Sequence, residues 1–439
     1  MTHRSLTIIG LLVVGLGVSC GSSDAGEAPL TPAQDASTEA GGAAGAAGAA
    51  GNAGVAGAAA SAGQAGATGC PASLPAAVAF DNNGSQSWLQ IQGDPPGSDI
   101  GTFDPSVRKA IDGTIVMSYS SVNLARNKIH TRIAVSTDGV TFTYAASANS
   151  AQENVDVPAD NDPDCPAGTC KGANIDHETS ALLEDPGDPD TSARWKVFTH
   201  SYVILKNPQD PNTPVLRYAY GDISVATAPA PSGPWSAPSP AIGWKSASPI
   251  SSKAQTLLSD LDGMQDCVAG SEPSAAIDPA TGALELAFGC VFMDKGVASI
   301  RVELVRSTDH GKTWALAHRL LEASDSVCLG ETEPQMNAAH LFDRGGSRYL
   351  IATPAGPVTF PGGGKGAAYR GCFVFRRTDN GIERDGAGAP IVYGRIDPGA
   401  GVFSGACSDI PNGGYVVSAL SDTAPSLFRM YGPVAKELP

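Results

Sequence analysis

Short runs of β-type residues, separated by glycine, proline, asparagine and aspartate, follow one another from about Cys70 to the end of the chain. No segment shows a long apolar face that repeats every 3.6 residues between capping residues, as a helix would. Short runs bounded by turn residues are typical of strands. The pattern therefore predicts a nearly all-β domain. The clearest predicted strands are 114–121, 131–135, 195–203, 283–292, 299–306, 349–353, 372–377 and 415–420.

An internal repeat organises these strands, because a phrase in which an acidic residue opens a strand occurs five times. The acidic residues that open the copies are Asp104, Glu178, Glu272, Glu333 and Asp409. Their spacings of 74, 94, 61 and 76 residues fit a four-stranded antiparallel sheet with its loops. The repeat predicts a β-propeller of five blades over residues 75–439, or of six if the long second repeat contains an extra sheet. The last repeat is short, so segment 78–92 is expected to supply its missing strand.

Turns at the ends of the repeats carry a specific signature. Residues 307–314, Ser-Thr-Asp-His-Gly-Lys-Thr-Trp, match the full Asp-box of sialidase-like β-propellers, and residues 136–142 resemble it with one residue deleted. Residues 378–381 keep its first half, and residues 226–235 resemble a turn of the five-bladed propellers of several glycoside hydrolase families. In such a turn the aspartate accepts backbone N–H bonds and the aromatic residue packs beneath the hairpin. The signature therefore indicates blades and assigns no chemistry.

The N-terminal segment indicates export. Arg4 precedes an apolar run, from Leu6 to Val18, that is too short to span a bilayer and ends in small residues. The run stops at Cys20 in a context that resembles the lipobox of bacterial lipoproteins, with Leu16 one place earlier than in the usual motif. Residues 1–20 are therefore interpreted as an export signal with lipidation at Cys20, which implies a cell-envelope location. Simple secretion is the alternative.

A stretch of almost pure glycine and alanine lies between this signal and the first strands. Residues 40–69 contain only five residues of other types. Such a composition cannot bury enough apolar surface to offset the entropy of ordering, so residues 21–74 are predicted to form a disordered tether. No later segment has about 18 consecutive apolar residues, so no second membrane span is expected.

Charge and cysteine content narrow the class of protein. The formal net charge is −16 and no cluster of lysine and arginine offers a basic surface, so nucleic acid is not an expected partner. With Cys20 set aside, an even number of cysteines remains in an oxidising compartment, which favours disulfides. Cys165 and Cys170 are expected to close a local loop, because they lack the second pair or histidine of a zinc site. Cys70 could pin the ring closure to a late cysteine such as Cys407.

The acidic residues of the repeat form the candidate site. The innermost strands of a propeller line a central channel, so five acidic residues at their starts would converge at one mouth. Like charges placed close together cannot all ionise freely, so their pKa values separate into the proton donor and acceptor that glycosidic hydrolysis needs. This chemistry requires no cofactor, although the same ring could bind a hard cation such as Ca²⁺ in the central channel.

Two of the acidic phrases resemble those of family 43-type five-bladed glycosidases. Residues 104–107, Asp-Pro-Ser-Val, are similar to the phrase that carries the general base in that family. Glu272 and the following proline are similar to the phrase that carries the general acid, without its intervening small residue, and Glu333 matches that phrase equally well. Glu178 stands where the family has an aspartate that tunes the acid. The resemblance implies a base at the first site, an acid at Glu272 or Glu333, and a tuning role for Glu178.

Further side chains are candidates for contacts with a carbohydrate ligand at the same mouth. They are Asp409, His177, His200, Trp244 and Arg108. Each has a structural alternative, since a single histidine is more often satisfied within a strand and a tryptophan is more often packed. A sialidase would also need an arginine triad and a tyrosine nucleophile. The available residues are Arg108, Arg301 and Arg370, with Tyr119 or Tyr202, and none lies in the sequence context of that family.

The interpretation that follows is an exported, lipid-anchored glycoside hydrolase that acts as a monomer on a neutral sugar. The membrane would be reached only through the N-terminal lipid. One rival is a non-catalytic surface lipoprotein that binds glycan or protein through the same mouth, and the other is a true exo-sialidase. The sugar and its linkage are not specified by the sequence.

Overall fold

The structure is a computed structural model that describes most of the chain from Cys70 onward. Described are residues 70–439 without 72, 82–87, 97, 99–100, 123–127, 160–161, 163–164, 166, 206–214, 246–252, 360–364, 398–402 and 421–427. The export segment, Cys20 and nearly all of the tether lie outside the described residues. No helix within the described ranges is long and apolar enough to cross a membrane.

The first two blades contain strands β1 to β11. Blade 1 comprises β1 (Ile91–Gln92), β2 (Gly101–Lys109), β3 (Ile115–Val122), β4 (Ile129–Ser136) and β5 (Phe142–Asn149). Blade 2 comprises β6 (Gln152–Pro158), β7 (Thr169–Glu184), β8 (Trp195–Leu205), β9 (Val215–Ala228), β10 (Ser239–Gly243) and β11 (Thr256–Leu257). Strands β2 to β5 and β7 to β10 each pair antiparallel in sequence order, which is the expected blade topology.

The other three blades follow in chain order. Blade 3 comprises β12 (Ala269–Ile277), β13 (Leu284–Asp294), β14 (Val297–Ser307) and β15 (Ala315–Leu321). A short helix α1 (Asp325–Cys328) leads to blade 4, with β16 (Met336–Arg344), β17 (Ser347–Thr359), β18 (Lys365–Tyr369), β19 (Cys372–Thr378), β20 (Gly381–Ile382) and β21 (Val392–Ile396). Blade 5 comprises β22 (Ser404–Asp409), β23 (Tyr415–Leu420) and β24 (Phe428–Val434). The strands predicted from the sequence pattern are all present, and the all-β prediction is confirmed.

The innermost strands β2, β7, β12, β16 and β22 surround one central channel. Each contacts the next around the ring, and β22 contacts β2. Residues of all of these strands line the same narrow space. The fold is therefore a β-propeller with one blade for each innermost strand, which gives five. The six-bladed alternative is wrong, because the described part of the long second repeat forms a single sheet.

The segment before β2 runs along the outer edges of three blades. Val78 bridges Ile396 of blade 4, and β1 pairs with β5 of blade 1. Between these two positions in the sequence, Trp88 forms a β-bridge with Tyr431 of β24. Strand β24 is the outermost of the three strands that the last repeat contributes to blade 5. The segment therefore completes the last blade, as expected, and also ties blade 5 to both of its neighbours.

A β-bulge interrupts each innermost strand near its start, where the register with the next strand shifts. One residue in each bulge has a positive φ, a left-handed conformation that strains any residue other than glycine. These residues are Asp104 (52°), Thr179 (47°), Glu272 (49°), Ala338 (47°) and Ala406 (48°). Because the same strained geometry recurs in every innermost strand, it defines which residues of the blades are equivalent.

Serine hydroxyls satisfy backbone N–H groups across three of the blade junctions. Each N–H group belongs to the residue three positions after the left-handed residue of its own strand. Each serine lies two positions after the left-handed residue in the innermost strand of the preceding blade. The pairs are Val107 N–H to Ser408 Oγ (2.9 Å), Leu182 N–H to Ser106 Oγ (3.1 Å) and Leu341 N–H to Ser274 Oγ (2.8 Å). Buried N–H groups need such acceptors, so the serines hold neighbouring blades in register.

Disulfides join all the cysteines of the described residues. The pairs are Cys70–Cys328, Cys165–Cys170, Cys267–Cys290 and Cys372–Cys407. The local bond between Cys165 and Cys170 closes the turn from β6 to β7, as the sequence suggested. The expected Cys70–Cys407 bond is wrong, because Cys407 is buried on the innermost strand of blade 5 whereas Cys70 is exposed.

Removal of one of the junction serines should weaken the domain. In Ser106→Ala the N–H of Leu182 would stay buried without an acceptor, which costs about 1–3 kcal/mol of unfolding free energy. Ser232→Ala, at an exposed position in the β9–β10 turn, is the control and should change the free energy by less than about 0.5 kcal/mol. Urea denaturation followed by tryptophan fluorescence measures both. Equal stability of the two variants would contradict the role of the hydroxyl.

Candidate active site

A cavity opens at the end of the channel where the innermost strands begin. It contains about 650 Å³ of space that no protein atom fills, and this volume includes open solvent at the mouth. Three of its lining residues are carboxylic acids, namely Asp104 of blade 1, Glu178 of blade 2 and Glu272 of blade 3.

The bulges explain why consecutive side chains of one strand line this cavity. In a regular strand successive side chains point to opposite faces. At the bulge of β12 both Ser271 and Glu272 line the cavity, and at the bulge of β2 both Phe103 and Asp104 do so. A bulge changes the direction of the side chains, so that two consecutive residues can point to the same face. Asp104 and Glu272 hold the left-handed position itself, and Glu178 directly precedes it.

Each of the three carboxyl groups accepts a hydrogen bond from a neighbouring hydroxyl. The pairs are Thr179 Oγ1 to Asp104 Oδ2 (2.8 Å), Tyr202 OH to Glu178 Oε2 (2.8 Å) and Tyr369 OH to Glu272 Oε1. The other oxygen of Glu272, Oε2, is buried and has no partner among the described residues. Buried polar atoms are normally paired, so this oxygen is suited to receive a polar group of a ligand.

Burial raises the pKa of all three carboxyl groups. It raises the pKa of Asp104 to about 7, although the hydrogen bond from Thr179 opposes the shift. Burial and the nearby charge of Asp104 raise the pKa of Glu272 to about 8, against the hydrogen bonds from the Tyr369 hydroxyl and the backbone N–H of Ala338. The same two causes hold the pKa of Glu178 well above 4.5. Because the ionised form of one group disfavours ionisation of the other, the two groups lose their protons in separate steps, and between these steps one carboxyl group is ionised while the other keeps its proton.

The repeat expected from the sequence is out of register in three blades. The left-handed residue is Thr179 rather than Glu178, Ala338 rather than Glu333, and Ala406 rather than Asp409. A ring of five carboxylates at one mouth is therefore wrong, and three carboxylates line the cavity. The serine two residues after the left-handed residue, present at 106, 274 and 408, is the sequence signal that would have given the correct register.

Glu333 and Asp409 lie outside the cavity. Glu333 is partly buried in the connection before β16, where Thr332 Oγ1 donates to its Oε1 at 3.4 Å. Asp409 lies three residues beyond the bulge of β22, and its Oδ1 is 2.9 Å from Nε2 of His340. Arg108 joins this group at 3.8 Å from Asp409 and donates from NH2 to Ala275 O at 2.6 Å. Asp409 and Arg108 thus pair with each other further along the channel, so neither contacts a ligand at the mouth.

His200 is the one predicted ligand contact that the structure places in the cavity. Its side chain is 2% exposed, and its ring stacks on Tyr218 with the centroids 5.6 Å apart. Burial lowers the pKa of His200 to about 3, so the imidazole is neutral. His177 is buried elsewhere, with Nδ1 2.7 Å from Ser201 Oγ. Trp244 is fully buried in the core shared by blades 2 and 3, so its role is packing.

None of the arginines proposed for a sialidase triad lines the cavity. Arg108 is paired with Asp409, as described above. Arg301 donates to both carboxylate oxygens of Asp266 at 2.6 Å. Arg370 donates to Pro357 O at 3.1 Å. No lysine or arginine lines the described part of the cavity, which therefore lacks the positive charge that a sialic acid carboxylate needs.

The described residues contain two groups whose ligand atoms are close enough to hold a metal ion, and neither lies in the cavity. One comprises Asp162 with Cys165 and Cys170, whose sulfur atoms are consumed by their disulfide. The other comprises Asp185, Asp188 and His310, where the ammonium of Lys196 already lies 2.5 Å from Asp188. Calcium in the channel stays a prediction, without a ligand set among the described residues.

Several cavity residues were missed by the sequence analysis. Tyr369, Asn337 and Gln335 come from blade 4, and a further tyrosine, Tyr218, comes from blade 2. An apolar wall is formed by the rings of Phe103, Phe403 and Phe428. The ring centroids of Phe103 and Phe428 lie 4.9 Å apart, and those of Phe403 and Phe428 lie 5.6 Å apart. Asn337 directly precedes the left-handed residue of blade 4, and Phe103 directly precedes that of blade 1, so the correct register would have found both. Nothing in the local sequence marks the others.

Comparisons with solved structures find similar folds at low identity. An arabinanase of Bacillus subtilis is 13% identical over 78% of this chain and 95% of its own, with a TM-score of 0.41. A family 117 glycoside hydrolase of Zobellia galactanivorans is 12% identical over 78% and 87%, with a TM-score of 0.41. A sialidase from Streptococcus pneumoniae is 10% identical over 79% and 70%, with a TM-score of 0.40. The sequence matches no family model and no curated protein sequence. Similarity of this degree assigns no activity.

The buried acids should make the domain less stable as the pH rises. Their folded-state pKa lies above the unfolded value, so the folded protein binds more protons and unfolding free energy falls between about pH 4 and pH 8. Asp104→Asn with Glu272→Gln removes both titrations. The double variant should therefore melt several degrees above the wild type near about pH 9, and the gap should close near about pH 4.

Thermal unfolding monitored by circular dichroism across this pH range tests the expectation. Asp309→Asn is a control of opposite sign, because hydrogen bonds from Thr313 and neighbouring groups lower the pKa of Asp309 to about 2. Its contribution to stability is present at neutral pH and is lost as the pH falls toward that value. A double variant that is less stable than the wild type at alkaline pH would contradict the assignment.

Proposed function

We propose that this protein is a glycoside hydrolase whose active site is the cavity at the start of the innermost strands. Asp104 is the general base that activates water, Glu272 is the general acid that protonates the leaving oxygen, and Glu178 tunes their ionisation. One observation carries the proposal: the carboxyl groups of Asp104 and Glu272 line one cavity, burial raises the pKa of both, and the charge of Asp104 raises that of Glu272 further, which suits a pair of one proton acceptor and one proton donor. The position of Glu272 in the cavity favours it over Glu333 as the acid.

The walls of the cavity favour an uncharged sugar. The three phenylalanine rings offer an apolar surface on which a sugar ring can stack. The polar side chains that the structure describes in the walls, with His200 neutral, offer hydrogen bonds to hydroxyl groups and carry no positive charge. An anionic sugar would instead meet three carboxyl groups, whose ionisation it would disfavour further.

The export signal and Cys20 complete the proposal. We infer that the chain is exported and lipid-anchored at Cys20, and that the glycine/alanine tether holds the propeller away from the membrane. The propeller acts as a monomer on glycans at the cell envelope. The tethered geometry suits an enzyme whose substrate is outside the cell.

The roles of the two acids are separable by the leaving group of the substrate. Glu272→Gln should lose about 10²–10⁴-fold of kcat on aryl glycosides with poor leaving groups but much less on dinitrophenyl glycosides, which need no protonation. Asp104→Asn should lose a similar factor on both, because water activation is needed in each case. Steady-state kinetics of the full-length protein on both substrate series measures this.

Glu333→Gln is the matched control, since Glu333 lies outside the cavity and should leave kcat unchanged. Loss of turnover in Glu333→Gln alone would contradict the choice of acid. Binding of glycans without any turnover would instead support the rival function, a surface lectin-like protein. The rival function is supported by Glu178, because the family 43-type glycosidases that the sequence resembles have an aspartate at this position.

Substrate charge provides a further test. Aryl galactosides and glucosides differ from the corresponding uronides only at C6, where the uronide has a carboxylate. Because no cationic side chain among the described residues lines the cavity, kcat/KM for the preferred uncharged glycoside should exceed that for its uronide by about 10²-fold or more. Hydrolysis rates of the paired substrates, with an aryl sialoside alongside, measure the preference. Faster turnover of the uronide or the sialoside would overturn the uncharged-sugar assignment.

A further inference from the structure

Three buried side chains behind Glu272 form a series of hydrogen bonds that the base and acid roles do not use. Ser271 Oγ donates to Asn337 Oδ1 at 3.1 Å, and Asn337 Nδ2 donates to the phenol oxygen of Tyr369 at 2.9 Å. The phenol of Tyr369 in turn donates to Glu272 Oε1. Ser271, Asn337 and Tyr369 are each less than a tenth exposed. Every bond of the series is directed toward Glu272.

The amide of Asn337 sets the direction of the last bond. Its NH₂ group can only donate, so the Tyr369 oxygen accepts there and its single hydrogen is directed at Glu272. Burial and the charge of Glu272 keep that hydrogen in place, because they raise the pKa of Tyr369 well above 10. Oε1 of Glu272 is therefore occupied as an acceptor. Oε2, which has no partner among the described residues, is the oxygen left to carry a proton.

Two glycines make room for this series of hydrogen-bonded side chains, because a side chain at either position would occupy the same space. A Cβ at Gly289 of β13 would lie 2.2 Å from Asn337 Oδ1 and 2.7 Å from Ser271 Oγ. A Cβ at Gly405 of β22 would lie 2.7 Å from the Cβ of Tyr369. Non-bonded heavy atoms do not approach so closely in a packed interior. The backbones of blades 3 and 5 thus accommodate the side chains that reach Glu272 from blade 4.

We propose that Tyr369 and Asn337 are positioning residues that hold the catalytic proton of Glu272 on Oε2. The inference rests on the proposed function, because it takes Glu272 as the general acid. Tyr369 stabilises the ionised form of Glu272 and occupies Oε1. Without it, Glu272 retains its proton to higher pH, and that proton is free to reside on either oxygen.

The kinetic test uses Tyr369→Phe in the full-length protein. On glycosides with poor leaving groups, kcat should fall about tenfold, the factor expected for one lost hydrogen bond to an ionisable group, with KM changed less than about twofold. The alkaline limb of the pH–rate profile, which in the wild type reflects Glu272 near about pH 8, should move to higher pH. Asn337→Asp should move it the same way, because a carboxylate accepts the Tyr369 hydrogen and turns it away from Glu272.

Tyr349→Phe is the matched control, since Tyr349 lies in the same blade, on strand β17 that pairs with the β18 strand of Tyr369, with its ring against Phe342 and Tyr393. It should leave the alkaline limb in place. A purely structural role for Tyr369 would lower stability or raise KM without moving this limb. An unmoved limb in both Tyr369→Phe and Asn337→Asp would overturn the proposal, as would a covalent glycosyl adduct on Tyr369, which would make it a nucleophile.

A second measurement does not depend on turnover. The difference in unfolding free energy between the wild type and Glu272→Gln, followed against pH, reports the titration of Glu272 in the folded protein. In the Tyr369→Phe background this titration should occur at higher pH. A protein that shows the shift but hydrolyses no glycoside would refute the proposed function while supporting the hydrogen-bond series. An unshifted titration would overturn the series even in an active enzyme.

Discussion

The left-handed residue near the start of each innermost strand is the constraint on which the site depends. Such a conformation costs about 1–3 kcal/mol for a residue with a side chain and persists only where its surroundings hold it. Here the neighbouring blade holds it, because serine hydroxyls accept backbone N–H groups beside the bulge at three junctions. The bulges are therefore a property of the closed ring rather than of any single blade. They in turn allow consecutive side chains of one strand to line the cavity.

The chemistry of the cavity follows from this placement. Asp104 and Glu272 occupy the strained positions of blades 1 and 3, where water has little access and each carboxyl group is close enough to feel the other. Burial makes ionisation costly, so the two groups titrate well above the range of exposed acids. The same cost that weakens the fold at alkaline pH separates the titrations of the two groups, on which their proposed roles as proton acceptor and proton donor depend. Stability and proposed function are thus opposed at the same two residues.

The sequence predicted the strands well, because each blade strand is a short apolar run between turn residues, and this local pattern survived in the fold. It also identified Asp104 and Glu272, whose acidic residue is followed by proline and serine. It failed at Glu333, which no serine follows at the required spacing, and at Asp409, which lies directly after the bulge-marking Ser408 instead of two residues before it. It missed Tyr369, Phe403 and Phe428, because these residues reach the cavity from strands and connections that share no phrase with the innermost strands. It also missed Phe103, although this residue directly precedes Asp104 on β2.

The sequence alone therefore determined the all-β class, the turns that end the repeats and the candidate acids, because these depend on neighbours a few residues apart along the chain, whereas the choice of five blades over six came from the structure. Only the tertiary structure decided the register of the repeats, the disulfide pairs other than Cys165–Cys170, and which acids share a cavity. Those features depend on hydrogen bonds and packing between blades. Such contacts join residues far apart in the chain and form only when the ring closes.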